Sequence, residues 1–173
     1  MWPHQLLPFA SGALVALAVL LLVLASLRDF ATRLVPNRIP LALGVTGLLL
    51  ALLHHRLGWS LAGGALVFAF TFLCWRMRWI GGADVKLLTA ASLLVPPVAV
   101  ASLVLATALA GGVLAVVYLI VRATLAKPAA PRPDPRHDSL ARRVLRAERW
   151  RIHRGCPLPY ACAIACGTLL MLR

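Results

Sequence analysis

Apolar residues gather in six runs along this chain: Leu6 to Leu27, Ile39 to Leu53, Ser60 to Trp75, Val85 to Val95, Pro97 to Val121 and Pro157 to Leu172. Polar or proline-bearing stretches separate them. A bilayer-crossing helix needs about 20 apolar residues, so the pattern predicts membrane spans joined by short connections. The fourth run is short, and a span that starts before Asp84 gains length there. Pro96-Pro97 forbids one continuous helix through runs four and five, because proline lacks the amide donor and clashes with the preceding turn. A tight hairpin is expected at that point; merging the two runs gives the alternative of five spans. The expected fold is all-α: a polytopic transmembrane helix bundle of about six spans. It forms one membrane-embedded domain over residues 1–173, with a basic loop at about 122–156.

Composition supports this class. Apolar residues make up 61% of the chain, charged residues 13%, and the mean hydropathy is +0.87. A soluble domain of this length has no interior large enough for that much apolar surface, so most of it faces lipid. Met1 to Gln5 carries no Lys or Arg and the first run exceeds a usual signal core, which favours a retained span over a cleaved signal.

Charge sets the expected orientation. The loop from Arg28 to Arg38 holds three basic residues, that from Arg76 to Lys86 three, and that from Arg122 to Arg154 ten, together 16 of the 18 Lys and Arg. With six spans all three loops share one side, and only Arg56 and Arg173 fall opposite. The positive-inside rule puts the three loops in the cytoplasm and the N-terminus outside it. The net charge of +13 is then topological bias plus attraction to anionic lipid headgroups; nothing resembles a base-reading module, so no nucleic-acid partner is expected.

Within the third loop, Lys127 to Pro135 contains four prolines and reads as an extended linker. Asp138 or Ser139 is placed to cap a helix running to about His153, with Leu140, Val144 and Leu145 on one face. Arginines around it suggest an interfacial helix on anionic headgroups, or a docking surface for a cytoplasmic partner. The four cysteines, Cys74, Cys156, Cys162 and Cys166, form no CxxC pair, so neither a metal site nor a redox dithiol is expected, and no cofactor is. Cys162 and Cys166 read as small packing residues.

Candidate chemistry comes from the acids, of which there are five. Asp134, Asp138 and Glu148 lie in a polar stretch and call for no special role. Asp29 and Asp84 sit alone at the edges of apolar runs, where an ionised carboxylate is costly and a functional role is the default. Asp29 opens a polar connector in which Pro36 rigidifies the chain and Asn37 is placed to cap the next helix. Asp84 follows Gly81-Gly82-Ala83, small residues that permit close approach and unusual dihedrals, and precedes Val85-Lys86. Lys86 is placed to bias the titration of an acid or meet an acidic substrate residue, and equally to act as a topology anchor.

These segments resemble the prepilin peptidases, membrane aspartyl proteases with a GxGD signature, and particularly the short forms that serve Flp or Tad-type pili. In that family a first catalytic Asp precedes a stretch ending in Ile-Pro-Asn, matched by Asp29 and Val35-Pro36-Asn37. A Gly-rich GxGDxK segment is matched by Gly81-Gly82-Ala83-Asp84-Val85-Lys86, and a Pro-Tyr-Ala-x-Ala-Ile segment by Pro159-Tyr160-Ala161-Cys162-Ala163-Ile164. Ala83 stands where the signature has Gly. The cytoplasmic zinc-binding insertion of longer members is absent. Those members also N-methylate the new pilin terminus, and no segment here identifies a methyl-donor site.

The resemblance implies Asp29 and Asp84 as catalytic, with Gly81, Gly82, Ala83, Lys86, Pro36, Asn37, Pro159 and Tyr160 as supporting residues. It implies prepilin or pseudopilin substrates, membrane lipids around the bundle, a pilus assembly machinery as a partner, and a site facing the cytoplasm at a bacterial inner membrane. Two close carboxyl groups cannot both ionise cheaply, so such a pair holds one proton and divides into acid and base. Two other classes fit lone membrane acids. One is a proton or cation relay in a small transporter; the other is a noncatalytic subunit whose aspartates pair with Arg33 or Lys86.

Overall fold

The computed structural model describes residues 6–124, 148, 150, 151 and 158–172. Among them the fold is all-α, with no strand. The helices are α1 (Leu6–Thr32), α2 (Arg38–Leu53), α3 (Leu57–Arg76), α4 (Gly82–Leu94), α5 (Val100–Thr124) and α6 (Tyr160–Met171). Three segments are long and apolar enough to cross a membrane, Leu7–Thr32, Leu57–Arg76 and Pro97–Thr124; α2 and α6 are shorter apolar helices. The long helices turn large apolar side chains outward, such as Leu20, Leu24, Phe70 and Leu109, an arrangement suited to lipid and not to water.

The break expected at Pro96-Pro97 is present, although α4 and α5 do not pack on each other as the two arms of a hairpin. α4 ends at Leu94, Val95 is extended, and a 3-10 turn (Pro97–Ala99) leads into α5. One expectation is corrected at α1. The sequence from Arg28 to Thr32 holds no helix breaker before Pro36, so the helix continues through it, and Asp29 lies in the last turn and not in a connector.

Three helices end on a residue in the left-handed region: Arg33 after α1 (φ 58°), His55 after α2 (φ 53°) and Arg78 after α3 (φ 62°). Such a residue folds the chain back so that its amide, or the next one, caps orphan carbonyls. The Arg33 N–H donates to Asp29 O at 2.8 Å, Arg56 N–H to Ala51 O at 2.9 Å and Trp79 N–H to Cys74 O at 3.0 Å. These tight turns reverse the chain between neighbouring helices.

α4 is the central element, packed against α2, α3 and α6, while α1 lies between α2 and α6 and α5 lies on α6. Small residues permit these approaches, because lipid tails supply no hydrophobic drive and packing must be close. A β-carbon on Gly47 would lie 2.8 Å from Leu93 Cβ, one on Gly111 2.6 Å from Tyr160 Cε2, and one on Gly167 2.5 Å from Thr107 Oγ1. At the end of the bundle where α4 stops, Arg56 Nη2 donates to Leu94 O at 2.9 Å and satisfies a terminal carbonyl. The opposite end gathers the C-terminus of α1 and the N-termini of α4 and α6.

Candidate active site

Asp29 is buried, and its position follows from two helices. α1 carries it to the end of the bundle, where the backbone N–H of Ala161, an orphan donor in the first turn of α6, donates to Asp29 Oδ2 at 3.0 Å. A carboxylate placed there also meets the positive end of the α6 dipole. Asp84 is half-buried in the first turn of α4, where Gly81 N–H donates to its Oδ2 at 3.3 Å and Asp84 N–H donates to Gly81 O at 3.1 Å. The two carboxylates are close enough for the charge of Asp29 to act on Asp84. Each is tethered through one oxygen.

The small residues before Asp84 matter for space and not for dihedral freedom. Gly81 is in ordinary extended conformation, φ −76° and ψ 147°, so the expectation of unusual dihedrals does not hold there. A β-carbon at Gly81 would lie 3.0 Å from Asp84 Oδ2, and one at Gly82 3.3 Å from Trp75 Nε1.

Asn37 also differs from expectation. It precedes α2 with helical dihedrals and makes no side-chain cap; its Oδ1 accepts a hydrogen bond from Lys86 Nζ at 2.9 Å. Lys86 thereby joins the Pro36-Asn37 segment to the start of α4. Pro159 is fully buried, and Tyr160 packs on Gly111 with its phenol within electrostatic reach of Asp84. All three sequence segments thus converge on one end of the bundle. An apolar groove of about 470 Å³ begins at Asn37 and Lys86 and runs between α2, α3 and α4 past Leu41, Gly44, Phe68 and Leu93.

Sequence reasoning missed a second polar cluster. Glu148 was expected to need no role, but it is buried, 4% exposed, and pairs with the Arg33 guanidinium. The Tyr118 hydroxyl donates to the same Glu148 oxygen and accepts from Arg33 Nη2 at 3.3 Å. Arg151 Nη1 donates to Glu148 Oε2 at 3.3 Å and to Phe30 O at 3.2 Å, and its Nη2 donates to Ala31 O at 3.1 Å. One signal could have found it: Glu148 is the single glutamate of the chain, set among Arg146, Arg149 and Arg151. Most of the interfacial helix expected from Asp138 or Ser139 to about His153, and Cys156, lie outside the described residues. Glu148, Trp150 and Arg151 are helical, and Arg151 donates to carbonyls in the last turn of α1.

Among the described residues neither aspartate forms an ion pair; Arg33 is held by Glu148 and Lys86 by Asn37. The pairing of Asp29 or Asp84 with those cations, on which the noncatalytic alternative depends, is not formed there. Cys162 lies near Asp29, its Sγ 3.8 Å from Ser26 O and within reach of the charge on that aspartate.

No curated protein and no solved structure matches the chain. The model of the type IV leader peptidase family matches residues 16–116, a stretch that contains both aspartates, Asn37 and Lys86. With more than half of its length matched, and with its motif segments brought to one end of an all-α bundle, the chain belongs to the type IV leader peptidase family.

Proposed function

We propose that this protein is a membrane aspartic endopeptidase that removes the leader of prepilins at the cytoplasmic face of the bacterial inner membrane, with Asp29 and Asp84 as its catalytic pair. The observation that carries the proposal is the meeting of two motif aspartates at one end of the bundle, neither neutralised by a described cation. The family supports a peptidase. The Flp or Tad-type substrate rests on the resemblance of the short chain.

Mutual repulsion keeps one proton on the pair. The ionised carboxylate removes a proton from water as the water oxygen bonds to the scissile carbonyl carbon. The protonated partner donates a hydrogen bond to the carbonyl oxygen and stabilises the tetrahedral intermediate. Collapse breaks the C–N bond, and the leaving nitrogen takes its proton from the pair. Tethering of Oδ2 in each residue by Ala161 N–H and Gly81 N–H limits reorganisation during these steps. Which aspartate begins ionised belongs to the pair and not to either residue.

A prepilin presents a short basic leader ending in Gly and then an apolar helix. The groove between α2, α3 and α4 suits that helix: it is apolar, and its polar end, Asn37 and Lys86, lies beside Asp84. Exposed Gly81 leaves room for locally unwound substrate backbone. The position of the pair at the end of the bundle, not its middle, favours hydrolysis over an ion relay. Purified protein in detergent or lipid, incubated with candidate prepilins, should release the leader as read by mass. Intact prepilins together with ion flux in proteoliposomes would assign the aspartates to transport instead.

A further inference from the structure

Arg33 stands four residues beyond Asp29, at the first position past α1, and its guanidinium is within electrostatic reach of that carboxylate. The turn that ends α1 keeps it close, its backbone N–H donating to Asp29 O at 2.8 Å, so a guanidinium released from its own partners has the Asp29 carboxylate as a nearby counter-charge. Asp29 would then be locked as an ion-paired carboxylate, and a pair locked in that way no longer shares a proton. Glu148 removes Arg33 from that role. It comes from far along the chain, is almost wholly buried, and takes the Arg33 guanidinium together with the Tyr118 hydroxyl. The Arg33 side chain also lies over the Tyr118 ring, 5.9 Å from its centroid. Among the described residues Arg33 Nε and Nη1 have no hydrogen-bond partner, so the guanidinium keeps donors that Asp29 would take.

We propose that Glu148 is a positioning residue for the cleavage reaction: by holding Arg33 against Tyr118 it keeps Asp29 free to share a proton with Asp84. The proposal rests on the catalytic assignment of Asp29 made above. Arg151 belongs to the same device. It links Glu148 to the Phe30 and Ala31 carbonyls, orphans of the last turn of α1, and so ties Glu148 to the turn that carries Asp29. The basic stretch thereby contributes to the site through Glu148, a contribution that its charge pattern hides. Asp29 is faced by Asp84 from α4, by Arg33 from the turn after its own helix, by Glu148, and by the Ala161 N–H and Cys162 thiol from α6; of these only Arg33 is a cation.

The test uses the full-length protein in lipid with a prepilin, comparing wild type, Glu148→Gln, the double variant Glu148→Gln/Arg33→Gln, and Asp29→Asn. Glu148→Gln keeps the side-chain shape but removes the negative charge that holds Arg33, leaving Asp29 as the nearby counter-charge, and should lower kcat by about tenfold or more with KM changed less than about threefold. Removing Arg33 as well should return kcat to within about threefold of wild type, since the cation that acts on Asp29 is then gone, while Arg151 stays on the Phe30 and Ala31 carbonyls. A purely structural role predicts the reverse order, with the double variant no better than the single one, and that result overturns the proposal. So does a Glu148→Gln effect confined to KM, or none. Asp29→Asn separates the two levels: if it cleaves normally, the catalytic assignment fails and this proposal with it, whereas an inactive Asp29→Asn beside an unaffected Glu148→Gln refutes the positioning role alone.

Discussion

Gly167 offers the sharpest test of how the bundle is held, because two effects of known sign compete there. Replacing it with Ala removes backbone freedom from α6, worth up to about 1 kcal/mol in favour of the helix. The new methyl group would lie 2.5 Å from Thr107 Oγ1, 2.8 Å from Thr107 N and 3.0 Å from Thr107 Cα. Two of those atoms are backbone, so no rotamer change relieves the overlap and α5 must move away from α6. Overpacking of this kind costs about 1–3 kcal/mol and sometimes more, which outweighs the helix gain. Gly112, also on a helix, has nothing within 4 Å of such a methyl and serves as the control. Thermal unfolding in detergent should show Gly167→Ala melting clearly below wild type and Gly112→Ala at or above it. Because α6 also supplies the Ala161 N–H that holds Asp29, leader cleavage by Gly167→Ala should fall as well. Equal melting temperatures for the two variants would refute the close α5–α6 packing on which the placement of Asp29 depends.

Other consequences can be checked in parallel. Lys86→Met breaks the exposed link to Asn37, worth less than about 1 kcal/mol to stability, so melting should stay near wild type while kcat/KM falls by about tenfold through lost alignment; unchanged kcat/KM would leave Lys86 as a topology anchor only. Leu41→Trp, at an exposed position lining the groove, should raise KM for prepilin with kcat little changed, and an unaltered KM would place the substrate helix elsewhere. Cysteine labelling in intact cells should find positions near Arg33, Arg78 and Arg142 cytoplasmic and Arg56 outside; opposite faces for Arg33 and Arg78 would separate the two aspartates.

Most of the fold was legible because apolar runs and proline breaks leave few choices. The break at Pro96-Pro97 follows directly from the missing amide donors, whereas the separation of α4 from α5 depends on tertiary packing that local sequence does not record. The end of α1 was misplaced because polar residues from Arg28 to Thr32 read as a loop, although nothing in them breaks a helix and the real stop is the left-handed Arg33. Asp29 and Asp84 were visible as lone acids beside apolar runs. Glu148 was not, because its burial is created by tertiary contacts with Arg33, Tyr118 and Arg151, and a local window sees only an acid among arginines. Asn37 had the right residue type for a cap, but Lys86, from another helix, takes its side-chain oxygen, a competition that local spacing does not record.

The two-aspartate mechanism stands or falls on one measurement: prepilin cleavage by wild type, Asp29→Asn, Asp84→Asn and the double variant, each confirmed as inserted and folded. Asparagine conserves shape but exchanges no proton, so each single variant should lose nearly all activity. Since the two groups act as one unit, the double variant should be hardly worse than either single one. A correctly inserted single variant that still removes the leader at a rate close to wild type would contradict the mechanism.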